Sequence, residues 1–281
     1  MRTLPMPPQG ATEVLETCVG GVADPALQGR LQAITPQLVA TAANYDQLAR
    51  VQSLHQVVRT ENVGAVTRSE LEELYSKQMS AANGAARLIY SALRNASPNG
   101  KCPLCGIGTV TVLDHHLPKA RYPNLSVCPF NLVPACDFCN NAKRARFPTC
   151  AEEQTIHPYY DDYTQQQWIF AQLDVAGSPV LVFYVDAPEQ WPEVARLRAK
   201  RHFDVVKLGV SYTSNANDDL ITLRDHLATI AATKGAAGVQ AYLAEEQARY
   251  ATRLNCWQHV MFQTLAANPW FVGGGYLQIP Q

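Results

Sequence analysis

The sequence has no run of roughly 18 to 20 apolar residues, the length that a membrane-spanning helix requires. Its densest apolar stretch is "PVLVFYV", which is strand-sized. The opening "MRTLPMPPQG" lacks the apolar core of a secretory leader, so no signal peptide is expected. Excess charge is missing as well. With 23 Lys and Arg against 24 Asp and Glu the net charge is -1, so any basic surface must be local. Internal repeats, low-complexity tracts and an ATP-binding motif are all absent. The "FVGGGY" triplet follows no strand and opens no helix, which makes it a flexible tail turn and no phosphate loop. Eight cysteines without a leader point to a reducing compartment, the cytoplasm of a microbe, where paired CxxC motifs read as metal ligands.

What remains is a 281-residue chain with 47% hydrophobic and 17% charged residues, the composition of a soluble globular protein. It divides into three stretches. Residues 1–100 are helical, with helix-like segments at 12–19, 25–34 and 37–58. In "VTRSELEELYSKQM" a capping box joins Thr67 and Glu70, and Leu71, Leu74 and Tyr75 recur at helical spacing. Residues 101–160 are rich in Cys, His, Pro and Asn, with one short β run, "TVTVLDH". In residues 161–281 "QQWIFAQLDV" and "PVLVFYVDA" read as two strands joined by a Gly-Ser turn. Helices follow, one marked by Leu220, Leu223, Leu227 and Ile230 and two more in "VQAYLAEEQARYATRL" and "CWQHVMFQTLAA".

The middle stretch carries the chemistry. Cys102 and Cys105 form one CxxC knuckle and Cys136 and Cys139 a second, with thirty residues between them. Four thiolates satisfy tetrahedral zinc, and such closed sites are structural because no coordination position stays open. Cys18, Cys128, Cys150 and Cys256 are isolated and read as buried or incidental thiols. Inside the insertion lies "LDHHLPK", followed by "NLVPAC" and "CNNAK". Hydrolysis of a phosphodiester needs a base for water and a Lewis acid at the phosphate. His115 is the candidate base, since a neutral imidazole accepts a proton near neutral pH. Asp114 is a hard oxygen ligand suited to Mg²⁺ or Mn²⁺. Adjacent strand residues face opposite ways, so the two can lie on either side of a phosphate. Asn140, at the start of a helix expected over 137–147, offers an amide oxygen as second ligand.

This pattern, D-H-x-x-P at 114–118, N-L-V-P at 131–134 and C-x-x-C-N-x-x-K at 136–143, resembles the HNH family of His-Me finger nucleases. The variant is the one with Asn in the last position and a four-cysteine zinc site. The resemblance implies an α+β fold, a zinc-braced ββα-metal finger embedded in a mostly helical protein. It makes His115 the general base, Asp114 and Asn140 the ligands of a catalytic Mg²⁺ or Mn²⁺, and Asn131 the residue that holds the base-bearing loop. The phase set by Pro118 favours His115 over His116 as base. Lys119, Arg121, Lys143, Arg144 and Arg146 gather around the motif as candidate phosphate contacts. His157, in "HPYYDD", either touches the site or packs among tyrosines. His55, His226 and His259 sit in helical patterns and read as structural.

The function expected is a metal-dependent endonuclease acting on nucleic acid, DNA before RNA. The overall layout is similar to the HNH subunits of Septu-type bacterial anti-phage systems, which implies a separate ATPase partner. A homo-oligomer is compatible with the large helical flanks. The alternative from another class is a zinc-ribbon module that binds nucleic acid without cutting it.

Overall fold

The structure, a computed structural model, describes residues 1–280. The chain forms two compact units, Arg2 to Asp162 and Tyr163 onward. The helical front and the cysteine-rich stretch, read separately from the sequence, therefore fold as one. A shared core is the reason. Val14, Leu15, Leu31, Ile34, Leu38, Leu71, Leu74, Met79 and Leu93 from the helices bury together with Leu113, Val127 and Leu132 from the cysteine-rich stretch.

The first unit begins with helices α1 (Ala11–Gly20) and α2 (Pro25–Arg50). The Asp24 carboxylate caps α2 by accepting from the Ala26 amide at 2.9 Å. The helix-like segments expected at 25–34 and 37–58 join in one helix, which runs through Pro36 and ends at Arg50. A proline removes one backbone hydrogen bond. That loss is offset by the buried row Leu31, Ile34, Leu38, Ala42, Tyr45 and Ala49 along one face of the helix. The front half of this row joins the core just described, and the rear half joins a second cluster with Leu117, Tyr122 and Leu125.

Helix α3 (Arg68–Glu73) starts at the expected capping box, with Thr67 and Glu70 satisfying each other's amides. It passes directly into a π-helical segment, Leu74–Ser80, and α4 (Arg87–Asn95) follows. Strand β1 (Val112–His115) then pairs antiparallel with β2 (Leu132–Ala135), setting Asp114 opposite Val133 and His115 opposite Leu132. Helix α5 (Asp137–Lys143) leaves the end of β2 and stops earlier than expected, at Arg144, whose φ of 54° no helix tolerates.

In the second unit the expected hairpin is present as β3 (Ile169–Asp174) and β4 (Val180–Val185). Helices α6 (Glu193–Val205), α7 (Leu208–Arg249), α8 (Trp257–Ala266) and α9 (Pro269–Val272) complete it. α7 is two helices folded back at Gly235, where φ is 61° and ψ -166°. The rings of His226 and Tyr242, sixteen residues apart, would be about 24 Å apart along a straight helix. Their centroids are 4.7 Å apart. Nor is the glycine triplet a loose tail: Phe271 and Tyr276 are buried on either side of it, and a Cβ at Gly275 would meet the Trp270 ring at 2.4 Å. Among the described residues no helix is long and apolar enough to cross a membrane.

A Cβ at Gly235 would touch nothing within 4 Å, so a substitution there reports backbone strain alone. Gly235→Ala is expected to destabilise the protein by about 1–3 kcal/mol, read by chemical denaturation. An unchanged midpoint would show that the turn relaxes freely.

Candidate functional site

The four cysteines bracket the β1–β2 hairpin. Cys102 and Cys105 precede it, Cys136 caps α5 and Cys139 lies in its first turn. All four are buried, and their Sγ atoms lie within 4.8 Å of one another. Cys105 and Cys136 have Sγ atoms 3.9 Å apart, against about 3.8 Å for two sulfurs of a tetrahedral zinc site with bonds near 2.3 Å. The cluster therefore has the donor set and size for one zinc ion. Hydrogen bonds from Cys102 and its neighbours hold the Cys105 thiol far below the ordinary range, whereas those with Cys102 and Cys105 push Cys139 far above it. A divalent ion would take all four as thiolates.

Gly108 is part of the cluster, although the sequence reading passed over it. Its amide donates to Cys105 Sγ at 3.4 Å. A Cβ there would lie 2.6 Å from Cys136 Sγ. Of the remaining cysteines, Cys18 and Cys128 are buried with thiols pushed up to about 12 by desolvation, as expected of inert core residues. Cys150 is exposed and Cys256 half-buried.

Asp114 and His115 occupy adjacent positions on β1 and acquire different neighbours. Asp114 Oδ1 accepts from Lys143 Nζ at 3.0 Å, and the same ammonium donates to the His115 carbonyl at 2.7 Å. Both side chains of this ion pair are almost wholly buried, at 6% and 5% exposure. Lys143 is therefore not the surface phosphate contact that its motif position suggested, because α5 delivers it to the interior. Burial pushes the Asp114 carboxyl up, and the Lys143 ammonium partly opposes the shift. Asn140, one turn before Lys143, shares its face of α5 and is half-buried.

His115 packs edge-on to the Tyr75 ring, centroids 4.5 Å apart, and its Nε2 lies 2.8 Å from the Ser126 carbonyl oxygen. A carbonyl only accepts, so Nε2 carries the proton and Nδ1 keeps its lone pair. Burial holds the imidazole down to about 3. Ser126 is fixed in turn, its hydroxyl donating to the Leu71 carbonyl at 2.7 Å. Tyr75 arrives on the π-helical segment and lies under the Lys119 ammonium, 5.1 Å from its ring centroid. Neither Tyr75 nor Ser126 was singled out from the sequence. Tyr75 looked like one more helical core position, and Ser126 acts through its backbone.

Asn131 is completely buried below the hairpin. Its Oδ1 accepts from the Leu117 amide at 2.7 Å, and its Nδ2 donates to the carbonyls of Leu117 and Leu125 at 2.9 and 3.4 Å. Its own carbonyl accepts from the His116 amide at 2.8 Å. One amide thus pins the turn that follows His115. His116 is buried elsewhere, ring to ring with His157 at 4.1 Å, and His157 Nε2 lies 2.9 Å from the Tyr45 hydroxyl. With Asp161 Oδ2 accepting from the His157 amide, "HPYYDD" is a closed turn with packed aromatic rings. Arg121, Arg144 and Arg146 are exposed and Lys119 half-buried. Arg121 and Arg59 both lie over the Phe147 ring.

Fold and site together define an α+β chain whose small hairpin and helix are clasped by a four-cysteine cluster. The chain belongs to the family of protein ea31 of Escherichia phage lambda. It is 30% identical to that protein over 297 aligned residues, which take in 98% of this chain and 100% of the relative. No protein-family model and no solved structure matches it.

Two predictions follow from this geometry. Gly108→Ala drives a methyl into Cys136 Sγ and is expected to lower zinc content well below one ion per chain, measured by metal analysis of purified protein. Full occupancy would mean that the knuckle yields. The second concerns acid stability. His115 titrates near 6.5 when unfolded and near 3 when folded, so the unfolded chain binds the extra proton first as pH falls. Its contribution to stability is present above about pH 6.5 and is lost towards pH 3, by at most about 1.4 kcal/mol per pH unit. The raised Asp114 acts in the opposite direction, but His115→Gln retains it. Urea unfolding at about pH 7 and about pH 5 should therefore show a smaller loss in His115→Gln than in the parent. Equal losses would place the acid sensitivity on other groups.

Proposed function

We propose that this chain is a nuclease of the HNH type, hydrolysing phosphodiester bonds of nucleic acid, with DNA the favoured substrate. The observation that carries the reading is the state of His115: a neutral ring with Nε2 committed to the Ser126 carbonyl and Nδ1 left as a proton acceptor. That is what a general base for water requires. Asn131 holds the turn beyond it, Tyr75 sets the ring plane, and exposed Arg121, Arg144 and Arg146 offer positive charge for a polyanion. A zinc ion held by Cys102, Cys105, Cys136 and Cys139 would contribute folding energy and leave no position for substrate. The biological setting we propose is conflict between phage and bacterium. The sequence layout is similar to Septu-type nuclease subunits, which would add an ATPase partner, and a relative is a phage protein.

A catalytic Mg²⁺ or Mn²⁺ would supply a Lewis acid at the phosphate. Asp114 and Asn140 are the residues to hold it, yet Asp114 Oδ1 already accepts from the Lys143 ammonium. Among the described residues, the only group of three or more His, Cys, Asp or Glu close enough to share an ion is the cysteine cluster. With one oxygen of the carboxylate engaged by Lys143 and Asn140 offering only a neutral amide, these residues would hold a divalent ion weakly. The same buried pair favours a second reading, a binding module without cleavage, in which Asp114 and Lys143 only brace the hairpin.

The test is cleavage of plasmid DNA, single-stranded DNA and RNA by zinc-loaded protein, with Mg²⁺, with Mn²⁺, and with chelator at a dose that leaves zinc content unchanged. The expected result is cutting that falls by about 10²–10⁴ in His115→Ala, with zinc retained. Cys139→Ser should lose zinc and activity together. Cleavage that survives His115→Ala refutes the proposed base. Tight nucleic-acid binding with no cleavage under any condition supports the second reading.

A further inference from the structure

The Asp114–Lys143 pair lies in the centre where the resemblance calls for a metal ion. We infer that Lys143 is the resident cation of this centre, its ammonium taking the place at Asp114 that a divalent ion would need. The inference rests on the HNH reading of Asp114 and deepens it.

Three observations carry it. The ammonium has two fixed acceptors on β1, Asp114 Oδ1 at 3.0 Å and the His115 carbonyl at 2.7 Å, which defines a seat rather than a passing contact. A divalent ion bound to the same carboxylate at about 2.1 Å would face that ammonium across one oxygen, with little water to screen the repulsion. Second, the ammonium has no short way out. Lys143 is 4% exposed and is the last residue of α5, the chain leaving the helix at Arg144 with φ 54°. Third, among the described residues Asp114 belongs to no group of three or more His, Cys, Asp or Glu ligands that could together draw an ion away from the lysine. Asn140 adds only a neutral amide on the same face of α5.

The pair is also placed by sequence in a way that no chance surface contact would be. Cys139 and Lys143 are one helical turn apart on α5, so the helix that supplies a sulfur to the cysteine cluster also supplies the ammonium to β1. A zinc ion in the cluster would set the height of α5, and with it the seat of the ammonium.

The experiment measures Mn²⁺ binding to full-length, zinc-loaded protein by electron paramagnetic resonance and calorimetry, without nucleic acid. Wild type and Lys143→Arg are expected to bind Mn²⁺ weakly, and Asp114→Asn to bind it no differently from wild type. Lys143→Met, which removes the charge at similar volume, should bind at least about tenfold tighter, a change of about 1.4 kcal/mol. The gain should vanish in the Asp114→Asn, Lys143→Met double variant. Wild-type affinity equal to that of Lys143→Met overturns the inference, as does a loss of Mn²⁺ binding in Asp114→Asn. That second comparison holds even where Lys143→Met fails to fold. No cleavage enters these readings, so cutting that dies with His115→Ala upholds the nuclease whichever cation the centre holds.

Discussion

The centre depends on one buried ion pair. Moving a carboxylate and an ammonium out of water costs several kcal/mol for each ion, and only close pairing with further hydrogen bonds offsets it. Here two of the three ammonium hydrogens find acceptors, Asp114 Oδ1 and the His115 carbonyl. Removing one partner would strand the other charge, a loss of about 3–5 kcal/mol in comparable buried pairs. Such a pair can form only if α5 and β1 meet at a fixed height. A seven-residue helix is too short to hold itself in water, where isolated helices are marginal below about 12–15 residues. α5 is therefore held from both ends, by Cys136 and Cys139 at its start and by Lys143 at its finish. The cysteine cluster and the ion pair are two ends of one brace.

What the sequence made legible was local. The capping box at Thr67, the two strands around 169–185 and the four clustered cysteines each depend on residues a few positions apart or on a ligand set that recurs. What stayed hidden was set by tertiary packing. The segments 25–34 and 37–58 read as separate, yet the buried row along α2 outweighs the hydrogen bond lost at Pro36. Lys143 reads as a surface cation because its burial is decided by β1, twenty-nine residues upstream. Ser126 carries no side-chain signal for a role played by its carbonyl. Gly108 does carry one, a glycine three residues past a CxxC, and the close approach of Cys136 Sγ explains it.

The environment of His115 shows the same division between what residue type supplies and what packing supplies. Imidazole chemistry alone allows either nitrogen to act. Burial removes the charged form, and the Ser126 carbonyl chooses the tautomer. Tyr75 packs edge-on to the ring from a π-helical segment, a geometry frequent at functional sites. Asn131 fixes the following turn with both ends of its amide. Three residues from separate elements, Ser126, Tyr75 and Asn131, thus fix one ring and the turn beyond it.

Every residue assigned to the cysteine cluster and to the candidate centre lies between Gly108 or its knuckle and Lys143, with Tyr75 added from the helical front. All belong to the unit from Arg2 to Asp162. The second unit has its own core, built on Trp168, Leu181, Tyr212, Leu227 and Met261, and supplies none of them. If the small hairpin and helix were the whole of the protein's business, a relative could dispense with the rest. The phage lambda protein instead aligns over 98% of this chain. The second unit is therefore shared with that relative as fully as the first, and the family is not defined by the hairpin and short helix alone.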